Sequence, residues 1–177
     1  YDVSAQGQRM AAALAQAADF SALSNLLRQQ RKREILRIAF RDLAGWADLI
    51  ETVGDLSRFA DACIEQASIR LHDWLCSDYG EPLGEELNQP QSIVVLGMGK
   101  LGAYELNFSS DIDLIFAYPE AGSTSGPRVI SNEEFFTKLG RQLIRALEET
   151  TAYGYVFRVD MRLRPFGDSG PLAMSFD

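Results

Sequence analysis

Residues 92–119, SIVVLGMGKLGAYELNFSSDIDLIFAYP, hold the pattern on which the fold turns. Ser92 to Leu96 is a short β-branched apolar run, the pattern of a buried strand, and Ile112 to Tyr118 is a second one that Pro119 terminates. Between them GMGKLG, Gly97 to Gly102, has the spacing of a dinucleotide-binding fingerprint. That fingerprint calls next for a helix of some length, then a strand ending in an acidic residue about 20 positions on. ELNFSSDIDLIF follows instead, with no room for the helix, so the dinucleotide reading is set aside. Asp111 and Asp113, two apart on a strand, project from the same face, while Ile112, Leu114 and Phe116 point into the core. Two adjacent carboxylates repel unless protons or cations neutralise them, and hard oxygen donors favour Mg²⁺.

A third strand is expected from Tyr155 to Leu163. Phe157, Val159, Met161 and Leu163 alternate with Arg158, Asp160 and Arg162. If it lies beside the second strand, Asp160 joins Asp111 and Asp113, and three carboxylates hold two metal ions. In the structural alternative Asp111 caps a turn and Asp160 pairs with Arg158 or Arg162. A two-ion site serves phosphoryl or nucleotidyl transfer without a side-chain nucleophile. Gly97 and Gly99 let backbone approach phosphate closely, and Ser109 and Ser110 are candidate donors to phosphate oxygens. Arg162 and Arg164 either pair with phosphate or neutralise the acidic site, and Lys100 either reaches phosphate or stays in solvent.

The first half reads as helices. Leu36, Phe40, Leu43, Ala47 and Ile50 recur at helical steps and predict one buried face. Arg28, Arg31, Lys32, Arg33, Arg37 and Arg41 crowd the start of that segment, as a solvated face or a docking patch for an acidic partner. Thr52 to Asp55 interrupt the pattern, with Asp55 as cap of a second helix carrying Phe59, Cys63, Ala67, Leu71 and Trp74. His72, beside that stripe, reads as structural. Pro82, Gly84, Asn88 and Pro90 mark a linker, dividing a helical region, 1–90, from a catalytic core, 91–177. Ser131 and Glu134 fit a capping box for a helix bearing Phe136, Leu139, Leu143 and Leu147. The expected fold class is α+β, a mostly helical part followed by a small mixed sheet flanked by helices.

Composition narrows the function. With 177 residues, 46% of them hydrophobic, the chain is long enough for a core without staples. Seventeen basic against twenty-five acidic residues, a net charge of -8, argue against nucleic acid as the main partner. No apolar run suits a membrane span and no secretory leader is visible, which points to the cytoplasm. Two cysteines and one histidine are too few for a disulfide framework or a conventional zinc site. The start at Tyr1 and the stop at Asp177 read as part of something longer.

The glycine motif, the paired strand aspartates and the third strand aspartate resemble the nucleotidyltransferase superfamily of the DNA polymerase beta type. The longer strings GMGKLGAYELNFSSDIDLIF and RVDMRLRPFGDSGPL resemble one family in it, the bifunctional glutamine synthetase adenylyltransferase and adenylyl-removing enzymes. The resemblance implies a long chain with two homologous nucleotidyltransferase domains. Met161 and Phe166 resemble the amino-terminal, adenylyl-removing domain more than the adenylylating one. It further implies two Mg²⁺ or Mn²⁺ ions on Asp111, Asp113 and Asp160, adenine nucleotides and phosphate as small ligands, glutamine synthetase as protein substrate and the P-II nitrogen signal protein as partner. Ala103 departs from the family pattern, which usually has another glycine there.

Overall fold

Three helices, α1 (Val3–Leu14), α2 (Phe20–Leu43) and α3 (Leu49–Tyr79), fill the first half of the computed structural model, which describes residues 3–86 and 88–176, without the side chains of 3–6 and 168. Asp19 and Asp48 cap α2 and α3, each side chain accepting a backbone N–H of its helix at 2.8 Å. The helix starting at Asn132, α5 (Asn132–Glu148), has the expected cap, Ser131 Oγ accepting from Glu134 N at 3.1 Å. Its Phe136, Leu139, Leu143 and Leu147 are fully buried. Each such side chain contributes roughly 1.5–3 kcal/mol through burial.

The sheet is built on β3 (Ile112–Tyr118). Strand β2 (Val94–Met98) pairs antiparallel along one edge, Val94 opposite Ala117 and Met98 opposite Asp113. The other edge takes two short parallel strands, β5 (Val159–Asp160) near its start and β6 (Ala173–Ser175) near its end. This is the α+β class expected, and the antiparallel β2–β3 pair has no place in a dinucleotide crossover, which needs parallel strands. Between β2 and β3 stands only the single turn α4 (Gly99–Gly102).

One apolar cluster runs from Met10 and Leu27 through Phe59 and Leu71 to Phe116, Leu143 and Ala173, so the parts on either side of residue 90 share a core. The expected linker is itself ordered at β1 (Pro82–Gly84), which forms an antiparallel ribbon with β4 (Gly122–Thr124). Among the described residues, no helix is long and apolar enough to cross a membrane.

Four expectations need correction. The stripe of Leu36, Phe40, Leu43 and Ile50 is exposed, Leu36 at 71% and Leu43 at 87%, while α2 buries Leu23, Leu27 and Ile38 together with Ser24, Arg28 and Glu34. A partly polar buried face defeats an apolar count, and a turn at Gly45, φ 68°, breaks the stripe before Ile50. Thr52 to Asp55 lie inside α3 rather than at its start. Asp55 is a buried acceptor, 3.0 Å from Arg37 Nη2 and 2.7 Å from Arg58 Nη2. The basic residues of α2 do not form a single solvated face, although Lys32 and Arg33 are exposed as such a face would have them. Arg28 is buried, Arg31 Nε donates to Val156 O at 2.7 Å, Arg41 pairs with Glu51, and Lys32 sits over the Tyr153 ring. The third strand spans only Val159–Asp160. Arg162 N donates back to the Asp160 carboxylate, Arg164 N to Met161 O, and the turn leaves Leu163 exposed, with Pro165 unable to extend a ladder.

Candidate active site

The register of the parallel pair brings the acids together. Asp113 stands opposite Asp160 on neighbouring strands, so both side chains leave the sheet on one face, with backbones about 4.8 Å apart. Asp111 directly precedes β3 and is exposed, while Asp113 and Asp160 are half-buried, and none is turned into the interior. The two chain segments meet because Ile112 N donates to Arg158 O at 2.9 Å, fixing the start of β3 against the approach to β5.

Each outer acid has taken a guanidinium. Asp111 pairs with Arg158, whose Nη2 also donates to Ser109 O at 2.8 Å. Asp160 accepts from Arg162 through its Nε at 2.8 Å, its Nη2 and its backbone N–H. The pairing of Asp160 with Arg162 expected as the structural alternative is therefore present. These bonds hold the Asp160 carboxyl below its ordinary range. They also raise the Arg162 guanidinium above its own range, through the bond to Asp160 first, then the charge of Asp160, with the fields of Asp113 and Asp111 adding to it. One exposed cation thus sits in the joint field of all three carboxylates. Three carboxylates are hard oxygen donors of the type that suits Mg²⁺ or Mn²⁺. Asp111 and Asp160 each meet one arginine, and among the described residues the three acids do not bring their ligand atoms within 4.8 Å of one another.

The glycine loop lies against this cluster. Gly99 has φ 53°, and a Cβ placed there would stand 2.7 Å from Asp113 Oδ2. Gly102 is as tight, a Cβ meeting Gly97 O at 2.5 Å. Gly97 itself faces Leu114 across the β2–β3 pair. Ala103 adopts φ -85°, ψ -3°, ordinary right-handed geometry, so the missing glycine costs nothing. Gly99→Ala is expected to cost about 1–3 kcal/mol in backbone strain. By pushing Asp113 aside it should also cut turnover more than tenfold, as read by a urea melt and a turnover assay on the same variant.

The remaining predicted residues are scattered around the loop. Ser109 and Ser110 both donate through Oγ to Asn107 Oδ1, at 3.1 and 3.0 Å, forming a turn just before Asp111. Asn107 was overlooked in the sequence, although Asn two and three residues before serines is a legible turn signal. Lys100 is exposed in α4, and Arg164 Nη1 donates to Met161 O at 2.9 Å. Arg158, the counter-ion of Asp111, was foreseen only as a partner of Asp160. Tyr104, φ 58°, donates to Asp61 of α3 and ties the end of the loop to the helical part.

A cavity of about 590 Å³ opens between α3 and β2, reaching the glycine loop at Gly97 and Leu101 and His72 at its far side. Near it, among the described residues, His72, Cys76 and Glu81 bring ligand atoms within 4.8 Å of one another. Burial and the Glu81 carboxylate push the Cys76 thiol up to about 12.

The family model described as Glutamate-ammonia ligase adenylyltransferase matches residues 2–177. Among curated relatives, the chain is 56% identical over 169 residues to the bifunctional glutamine synthetase adenylyltransferase/adenylyl-removing enzyme of Thioalkalivibrio sulfidiphilus, covering 96% of this chain and 17% of the relative. It is 60% identical over 153 residues to the enzyme of the same name from Nitrosococcus oceani, covering 86% and 16%. The corresponding Pseudomonas aeruginosa enzyme is 56% identical over 169 residues, covering 95% and 17%. The chain thus spans about a sixth of the length of the relatives it matches. With the match running over nearly every residue, the chain belongs to the glutamate-ammonia ligase adenylyltransferase family.

Proposed function

We propose that this chain carries the adenylyl-removing site of a bifunctional enzyme of its family, releasing AMP from an adenylylated tyrosine of glutamine synthetase by phosphorolysis. The observation that carries the reading is the register of Asp113 against Asp160 beneath Gly99, with Asp111 alongside. An oxygen of inorganic phosphate attacks the phosphorus, the bond from phosphorus to the tyrosine oxygen breaks, and ADP and tyrosine result, with a solvent proton ending on the phenol. Divalent cations, Mg²⁺ or Mn²⁺, would supply charge stabilisation for the attacking and leaving oxygens.

Asp111 and Asp113 would hold both ions and Asp160 the one nearest the nucleophile. Gly97 and Gly99 admit the phosphate chain close to backbone. Ser109 and Ser110, whose hydroxyls here donate to Asn107 Oδ1, would serve as donors to its oxygens. Arg162 and Lys100 would pair with phosphate oxygens. Arg164, whose Nη1 donates to Met161 O, is a further candidate for phosphate. No general base is required, because phosphate is ionised at neutral pH and tyrosinate, whose parent phenol ordinarily loses its proton at about pH 10, is a moderate leaving group. Met161 and Phe166 favour removal over addition. The P-II nitrogen signal protein as partner and a cytoplasmic location belong to the same proposal.

The test incubates the chain with adenylylated glutamine synthetase, phosphate and Mg²⁺. ADP should appear in step with loss of AMP-tyrosine. Pyrophosphate formed from ATP and unmodified glutamine synthetase, with no ADP in the first mixture, would assign the opposite direction to this site.

A further inference from the structure

We infer that His72, Cys76 and Glu81 form a second metal site, for one zinc-like divalent cation, that fastens the end of α3 to the ribbon and the strand entry beside it.

The geometry starts with helical spacing. His72 and Cys76 are four apart on α3, which places both side chains on one face a turn apart, the spacing by which helices chelate metals. Cys76 Sγ lies 3.4 Å from His72 Nδ1. In a tetrahedral zinc site, with Zn–S about 2.3 Å and Zn–N about 2.0–2.1 Å, the sulfur and nitrogen stand about 3.5 Å apart. The pair is therefore already at the edge length such a site needs. Glu81 closes the triangle, its carboxylate within 4.8 Å of both donors.

The surroundings orient the ligands. His72 Nε2 is 3.2 Å from Gln91 O, and a carbonyl only accepts, so that contact calls for the ring proton on Nε2 and leaves Nδ1 as the ligating nitrogen, with Cys76 Sγ beside the ring at 3.4 Å from Nδ1 and 3.9 Å from Nε2. A histidine whose far nitrogen donates to a carbonyl is the usual arrangement behind a metal ligand. The ring is further held edge-on to Phe135 at 5.4 Å. Glu81 is fixed through its backbone, its N–H donating to Ser125 Oγ at 3.1 Å and its carbonyl accepting from Ser125 N at 2.9 Å. Since His72 also lines the cavity, water has room to complete four-coordination there. Imidazole and thiol with one carboxylate select zinc-like ions over Mg²⁺, so this site differs in chemistry from the three aspartates. On binding, the thiol proton passes to solvent and the sulfur coordinates as thiolate.

The test is titration with Co²⁺ as an optical probe and Zn²⁺ by calorimetry, in the Asp111→Asn, Asp113→Asn, Asp160→Asn background that removes the acidic cluster. Expected are one equivalent bound, a thiolate-to-cobalt charge-transfer band, and a melting temperature raised by Zn²⁺ and lowered again by chelator. Cys76→Ser should abolish the band and weaken Zn²⁺ at least 100-fold, and the exposed Glu81→Gln should weaken it about tenfold, in the range seen when supporting ligands are lost. Absence of the charge-transfer band, or a band that survives Cys76→Ser, would overturn the assignment. Should Cys76→Ser not fold, the band and Glu81→Gln decide alone.

Discussion

Asp113→Asn is expected to lower AMP release by roughly 10³-fold or more, about 4 kcal/mol of transition-state stabilisation, while leaving the fold intact. Asp113 is the central acid. It faces Asp160 across the parallel ladder, supports Gly99 from below, and contributes to the field at Arg162. Asparagine matches its shape, so the loop should keep its place while the cluster loses one negative charge and one hard ligand. Far-ultraviolet circular dichroism should superimpose on the parent, and calorimetric affinity for Mg²⁺ or Mn²⁺ should fall together with turnover. Turnover within tenfold of the parent would remove the acid cluster from the reaction.

The largest effect on stability is expected at Arg28, far from the acids. This side chain is fully buried and donates to four backbone carbonyls, Ser24 O at 2.8 Å, Ala146 O at 3.1 Å, Gly154 O at 2.8 Å and Glu149 O. Desolvation lowers its pKa, with the charge of Glu149 acting in the opposite direction. Two of its acceptors, Ala146 O and Glu149 O, lie in or just after the last turn of α5, where helix carbonyls have no partner of their own. Arg28→Met keeps much of the volume but strands those carbonyls, and removing one side of a buried charged network costs about 3–5 kcal/mol. The urea midpoint should fall accordingly with an unchanged slope. A shift below 1 kcal/mol would mean that water already serves these groups.

How far the sequence could be read differs from element to element. Strand β3 and the start of helix α5 were legible to within a residue, because alternation, a terminating proline and a capping box act over a few neighbours. The face of α2 was read wrongly for a physical reason. Its inner side carries Arg28, met by carbonyls from distant segments, and Glu34, met by Arg37 one turn on, so hydrophobicity alone pointed to the outer side. The third strand was overextended because alternation continues through a turn that the Asp160 side chain itself closes.

Residue order was enough to establish a chain with a glycine loop between two strands, two acids on one face of the second, and a third acid in an alternating stretch. All of this is short-range, set by side-chain periodicity and backbone preferences within a dozen positions. Folding in three dimensions added what no local pattern contains: the ladder that sets Asp113 beside Asp160, the arginines that neutralise the outer acids, and the meeting of His72, Cys76 and Glu81 at the end of α3. Strand register joins segments nearly fifty residues apart, and such pairings are chosen by how the whole core closes rather than by neighbours along the chain.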